Sequence, residues 1–230
     1  KVGLLPSTAL TLLCDSSAAV AARVAALPGF AQNVCALLPS AHHGLGMVRL
    51  LASVGRQVPS ARAKLVEYGV VPAMAACVAV GFEENARGLV DAGLAALVWY
   101  VPEEPPAPTQ AVLCPAVPAM AASLAHNPLA WVLVQRCVAG HEDNSRLVEA
   151  VAPFEDLLAK PAMRFPALAL VSRLHGPPDL PASTCRALGA LLDAEAHVAA
   201  AAAAALEAQA VGPGAEAAAV GAGAALARAV

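Results

Sequence analysis

Apolar residues recur along this chain with the period of a helix. Around positions 42–56, Met47, Leu50, Leu51 and Val54 fall at i, i+3, i+4 and i+7, and around 83–100 Leu89, Val90, Gly93, Leu94, Leu97 and Val98 draw a second stripe. That spacing gathers each set on one face of an α-helix. Alternation of β-branched or aromatic residues with polar ones, the mark of a half-buried strand, is hard to find. Alanine, the best helix former, makes up roughly a quarter of the chain. The prediction is an all-α protein with helices near 42–56, 83–100, 128–139, 162–175 and 195–210, each followed by a shorter pair.

The pattern repeats. Leu65-Val66-Glu67-Tyr68-Gly69-Val70-Val71-Pro72 returns in weakened form as Leu147-Val148-Glu149-Ala150-Val151-Ala152-Pro153, the two leucines standing 82 positions apart, twice 41. Between them Val71-Pro72-Ala73-Met74-Ala75-Ala76 recurs identically as Val117-Pro118-Ala119-Met120-Ala121-Ala122, offset by 46, one period plus a short insertion near Pro102 to Pro108. A unit of about 40 residues matches the two- or three-helix repeats of α-solenoids. One such unit cannot bury its apolar face alone, whereas a stack buries a continuous core and needs polar caps or attached neighbours at its ends. Here Ala196 to Ala205 is nearly pure alanine, and Gly212 to Val230 carries only Glu216 and Arg228 as charges. Both ends are therefore expected to be covered by more chain or by partners. The alanine run reads either as a close-packing seam or as compositional drift.

The stretch from Pro59 to Pro72, Pro59-Ser60-Ala61-Arg62-Ala63-Lys64-Leu65-Val66-Glu67-Tyr68-Gly69-Val70-Val71-Pro72, resembles the armadillo turn in which one helix ends at glycine and the next begins with proline. Gly69 can take the left-handed conformation that ends a helix, and Pro72 fits a first turn, where its missing N–H costs nothing. Asp143-Asn144-Ser145-Arg146-Leu147-Val148-Glu149 resembles the same segment, with Asp143 or Asn144 as its N-cap and Val151 where the glycine is expected. The resemblance implies a right-handed superhelical α-solenoid of about five armadillo-like three-helix repeats. It makes residues 1–230 one domain with approximate units 1–40, 41–81, 82–127, 128–161, 162–194 and 195–230, read as a fragment or processed chain.

Armadillo proteins bind peptides or other proteins along a groove lined by third helices, and the best-known variants use a tryptophan followed four residues later by asparagine, a spacing that shares one helix face. The corresponding positions here hold Arg49 and Ser53, Ala95 and Trp99, Trp131 and Gln135, and Ala169 and Arg173. Only Trp131 with Gln135 approaches the motif, so an asparagine ladder of the importin type is absent. The resemblance implies a partner-binding groove at Arg49, Ser53, Trp99, Trp131, Gln135 and Arg173. Trp99 and Trp131 read first as core fillers, with half-exposed hot spots as the alternative.

Charge narrows the partners. Lysine and arginine total 14 against 17 acidic residues, a net charge of -3 with no basic block, which argues against nucleic acid. The six cysteines, at 14, 35, 77, 114, 137 and 185, sit singly in apolar stretches without a C-x-x-C and read as buried hydrophobes in a reducing compartment. The longest stretch free of charge and histidine, Pro105 to Ala125, carries five prolines, so no transmembrane helix is expected. Lys1 to Cys14 faintly resembles a signal-peptide core, without a convincing cleavage site after it.

Catalytic and cofactor signals are weak. Gly212-Pro213-Gly214-Ala215-Glu216-Ala217 matches a dinucleotide fingerprint but follows an alanine helix rather than a strand. His42-His43 and His141-Glu142-Asp143 fit turns and caps better than a metal site, with no second ligand pair at the needed spacing. Cys185 with His175 or His197 is the least implausible nucleophile arrangement. Pro105-x-x-Pro108 is explained by an interhelix loop. No cofactor and no metal are expected. The reading is a non-enzymatic helical-repeat scaffold or adaptor for protein–protein interaction, a structural subunit of a larger hetero-oligomeric assembly. The alternative is a helical-repeat enzyme or small-molecule carrier with a cryptic site. The expected location is intracellular, with cytoplasmic or cytoskeletal and ciliary settings favoured over mitochondrial ones.

Overall fold

The computed structural model describes residues 4–40, 43–174, 182–192, 194 and 196–210. Every regular element among them is helical. The order runs in groups of three: α1 (Leu4–Ser16) with α2 (Ala18–Ala25) and α3 (Phe30–Leu37), then α4 (Gly44–Gln57) with α5 (Pro59–Glu67) and α6 (Val70–Glu83), which is as long as α4. The next sets are α7 (Arg87–Tyr100) with α8 (Ala107–Leu113) and α9 (Val117–Ala122), and α10 (Pro128–Val138) with α11 (Glu142–Val151) and α12 (Phe154–Ala159). Single turns of 3-10 helix at Cys114–Ala116 and Ser123–Ala125 flank α9, and α13 (Pro161–Val171), α14 (Ala182–Leu191) and α15 (Ala196–Ala210) follow. The third-helix positions expected from periodicity are thus occupied by α4, α7, α10, α13 and α15. The opening stretch, with its faint signal-peptide character, forms α1, which packs on α4. The chain divides into two compact units, residues 1–120 with 127–136 and residues 121–126 with 137–230.

Local chemistry sets the corners. Gly69 stands at φ +83°, left-handed, and its N–H donates to the Val66 carbonyl at 2.9 Å, closing α5 before α6 begins; a side chain is costly in that conformation. Pro72 then sits in the first turn of α6, where no intrahelical acceptor awaits its nitrogen. The weakened copy is built differently. The N-cap of α11 is neither Asp143 nor Asn144 but His141, whose Nδ1 accepts from the Asn144 N–H at 3.3 Å. The helix starts at Glu142, which places Glu142 and Asp143 in a first turn that favours negative charge. Asn144 is fully buried and donates from Nδ2 to the Cys137 carbonyl at 3.0 Å. At the far end Val151 stays helical and Ala152 extends at φ −65°, ψ 133°, so the bend forms without a left-handed residue.

In the first unit α1, α4 and α7 pack in a row, with α2 on α4 and α6 on α7. The approach of α4 to α7 depends on Gly55, where a Cβ would lie 2.9 Å from the Trp99 Cβ and from the Tyr100 ring. The buried Tyr100 hydroxyl donates to the Leu51 carbonyl at 2.8 Å. Orphan carbonyls at the row's C-terminal ends are met by later side chains, as helix termini require. Gln57 donates to Asp15 O (2.9 Å), Arg62 to Gly55 O (2.6 Å), and Arg136 to Val98 O (3.1 Å) and Val101 O (2.6 Å). At the other end of α10, Asn127 accepts from the Leu129 N–H at 3.0 Å and donates to Asp91 at 2.8 Å, capping α10 and holding it to α7 together.

In the second unit α12 packs on α13 and α14, and α15 packs on both of the latter. Arg164 donates to the Leu158 carbonyl at 3.1 Å across the α12–α13 corner. Along α15 the buried residues are Val198, Ala202, Ala205 and Leu206, at i, i+4, i+7 and i+8. The alanine helix therefore has one packed face among the described side chains, two alanines between a valine and a leucine.

Candidate functional site

Two third helices and their neighbours enclose a cleft of about 670 Å³ in the first unit. Thr11 and Asp15 reach it from α1, Arg49, Ser53 and Arg56 from α4, Asp91, Ala95 and Trp99 from α7, and Leu129 from α10. The helix period explains the set, since Thr11 and Asp15, Arg49 and Ser53, and Ala95 and Trp99 are each four apart and so share a face. Trp99 is 36% exposed, and Arg62 stacks over its ring at 5.1 Å from the centroid. The ring is also part of a second cavity of about 580 Å³, lined by Arg62, Val66, Glu103 and Arg136 among others. It is a wall between two cavities rather than a core filler.

Most charges in the cleft are paired. Arg56 meets Asp15 at 2.7 Å. Asp91 accepts from Asn127 and faces Arg87 at 3.8 Å. Arg49 is exposed and has no carboxylate partner among the described residues. One turn further along α4, Ser53 is 3% exposed and its hydroxyl has no hydrogen-bond partner among the described residues. Buried hydroxyls are ordinarily satisfied, so this one marks the cleft wall as unfinished on the protein side.

The structure brings Arg49, Ser53 and Trp99 together on this cleft. Trp131 and Gln135 are half-buried on α10 and do not line it, and Arg173 is exposed just beyond the end of α13 in the second unit. Asp15, Arg56 and Asp91 were not singled out by the repeat pattern alone. The signal that points to Asp15 is the same four-residue spacing, Thr11 to Asp15, one unit upstream.

Little in the described residues suits covalent or metal chemistry. No three His, Cys, Asp or Glu side chains converge among them. Burial raises the thiols of Cys14, Cys35 and Cys185, and pushes that of Cys77 up to about 11, the reverse of what a nucleophilic cysteine needs. His197 stacks on Phe165 at 5.5 Å. His42, His175 and the Gly212 to Ala217 motif lie outside the described residues. No helix among the described residues is long and apolar enough to cross a membrane by itself.

No protein-family model matches the chain, and no curated protein matches it. Solved structures do. A designed armadillo repeat protein in complex with the peptide (KR)4 is similar at TM-score 0.54 and 17% identity, over 88% of this chain and 91% of that one. The crystal structure of an engineered protein is similar at TM-score 0.53 and 16% identity, over 88% of each chain. These likenesses are of fold: the chain has an all-α, armadillo-like repeat fold.

Proposed function

We propose that this chain is a non-enzymatic helical-repeat scaffold that docks other proteins in the cleft of its first unit, as a structural subunit of a hetero-oligomeric intracellular assembly. The observation that carries the proposal is the cleft itself: adjacent third helices present Arg49, Ser53 and Trp99 to one concavity of about 670 Å³. A half-exposed tryptophan in a concave site is the residue type that dominates interface energetics. The designed armadillo protein of similar fold is in complex with a peptide, which supports peptide docking as a use of this fold. Leu12 and Leu13 on α1, 64% and 54% exposed, add apolar surface of the kind that partners cover.

The test is affinity capture of the full chain from its native extract with cross-linking and mass spectrometry, run beside a Trp99→Ala variant. Stoichiometric partners cross-linked around α4 and α7, and lost with Trp99→Ala while helical circular dichroism is kept, are the expected result. A monomer that captures nothing, or partners indifferent to Trp99, overturns docking at this cleft.

A further inference from the structure

The cleft's charge inventory says more about its occupant. Resting on the docking reading above, we infer that the occupant is an extended segment of a partner protein carrying an aspartate or glutamate side chain that pairs with Arg49. Asp15 is paired with Arg56 at 2.7 Å, and Asp91 accepts from Asn127 and faces Arg87, outside the cleft, at 3.8 Å, so among the described residues Arg49 is the charged side chain lining the cleft that has no ion-pair partner. A guanidinium pairs best with a carboxylate, through two parallel N–H···O bonds. Arg49 is exposed, so it is solvated without a partner and open to one.

Geometry sets the rest of the segment. Packed helices lie about 8–10 Å apart and an extended chain advances about 3.3 Å per residue, so a segment crossing the row moves about three residues from one helix to the next. Arg49 is on α4, while Val98 and Trp99 are on α7 and Leu129 is in the first turn of α10. The acidic residue is thus followed or preceded, about three positions away, by an apolar side chain that covers the exposed part of Trp99.

A random decapeptide display library selected on the immobilised full chain tests this, with a recovered peptide resynthesised with acetylated and amidated ends. The expected result is recovery of peptides with Asp or Glu spaced about three from Leu, Ile or Phe. Changing that acid to its amide, or Arg49→Gln in the protein, should each weaken binding about tenfold or more, with little further loss when the two are combined. Binding should also weaken as salt is raised. Peptides that bind and respond to Trp99→Ala, but are indifferent to Arg49→Gln and to loss of the acid, overturn the carboxylate inference and leave docking at the cleft standing. A library that yields no binder, or binders indifferent to both residues, removes the cleft reading and the carboxylate inference together. Arg49 is exposed, so its variant is expected to keep the wild-type circular dichroism, which is checked first.

Discussion

The two units are built from the same helix pattern and finished differently. In the first, α4 and α7 meet at a glycine, are joined by a buried phenol bonded to a main-chain carbonyl, and have their ends closed by Arg62 and Arg136. In the second, α15 meets α13 and α14 through an alanine-rich face, and the aromatic contact among the described residues is the exposed Phe165 on His197. The first unit achieves close helix approach at one point and surrounds it with large polar and aromatic groups. The second packs α15 through two alanines flanked by Val198 and Leu206. In the first unit the tight approach at Gly55 sets the backbone of Trp99 against α4.

Adding one methyl group breaks the comparison most sharply. Gly55→Ala forces a Cβ to 2.9 Å from Trp99 and Tyr100 and is expected to destabilise by about 1–3 kcal/mol. Gly189→Ala on α14 meets nothing within 4 Å and should stabilise by about 0.5–1 kcal/mol through helix propensity alone. Urea midpoints of the two variants read both effects, and equal shifts of the same sign would abolish the distinction between the units.

The phenol latch gives a smaller effect with a pH signature. Burial holds Tyr100 protonated well above the ordinary phenol value, against the opposing pull of Arg62. The folded state therefore keeps a proton that the unfolded chain releases above about pH 10. The stability this supplies is fully present below about pH 10 and declines as the pH rises beyond it. Tyr100→Phe should cost about 1 kcal/mol at neutral pH by removing the bond to Leu51, and should flatten the alkaline decline, as seen by denaturation on either side of pH 10. A decline unchanged in the variant would show that Tyr100 does not govern it. The smallest effect is expected at the rim: Asp15→Asn removes a half-exposed ion pair and should shift stability by no more than about 0.5 kcal/mol, while freeing Arg56 to face the cleft. Binding of an acidic peptide should then tighten rather than weaken, which separates charge in the cleft from stability of the row.

Much of the architecture was legible residue by residue. The stripe from Met47 to Val54 announced α4, and Gly69 with Pro72 announced a corner that the backbone dihedral bears out. The candidate site was legible in part. Arg49, Ser53 and Trp99 followed from counting along the repeat, and the structure sets them on one cleft, but counting alone also nominated Trp131, Gln135 and Arg173, which lie elsewhere. Asp143 and Asn144 looked like caps because their side chains cap well in general; His141 caps instead, because Asn144 is held inward by the Cys137 carbonyl.

Periodicity and glycine and proline placement act within a few residues, so the sequence by itself determined the helical class and the corner at Gly69. Which side of Trp99 is covered, whether Arg49 finds a counter-ion, and that Tyr100 reaches the carbonyl of Leu51 depend on atoms tens of residues away. Those were decided only when the helices packed, because burial and charge pairing are properties of neighbours in space and a repeat pattern specifies neighbours only along the chain.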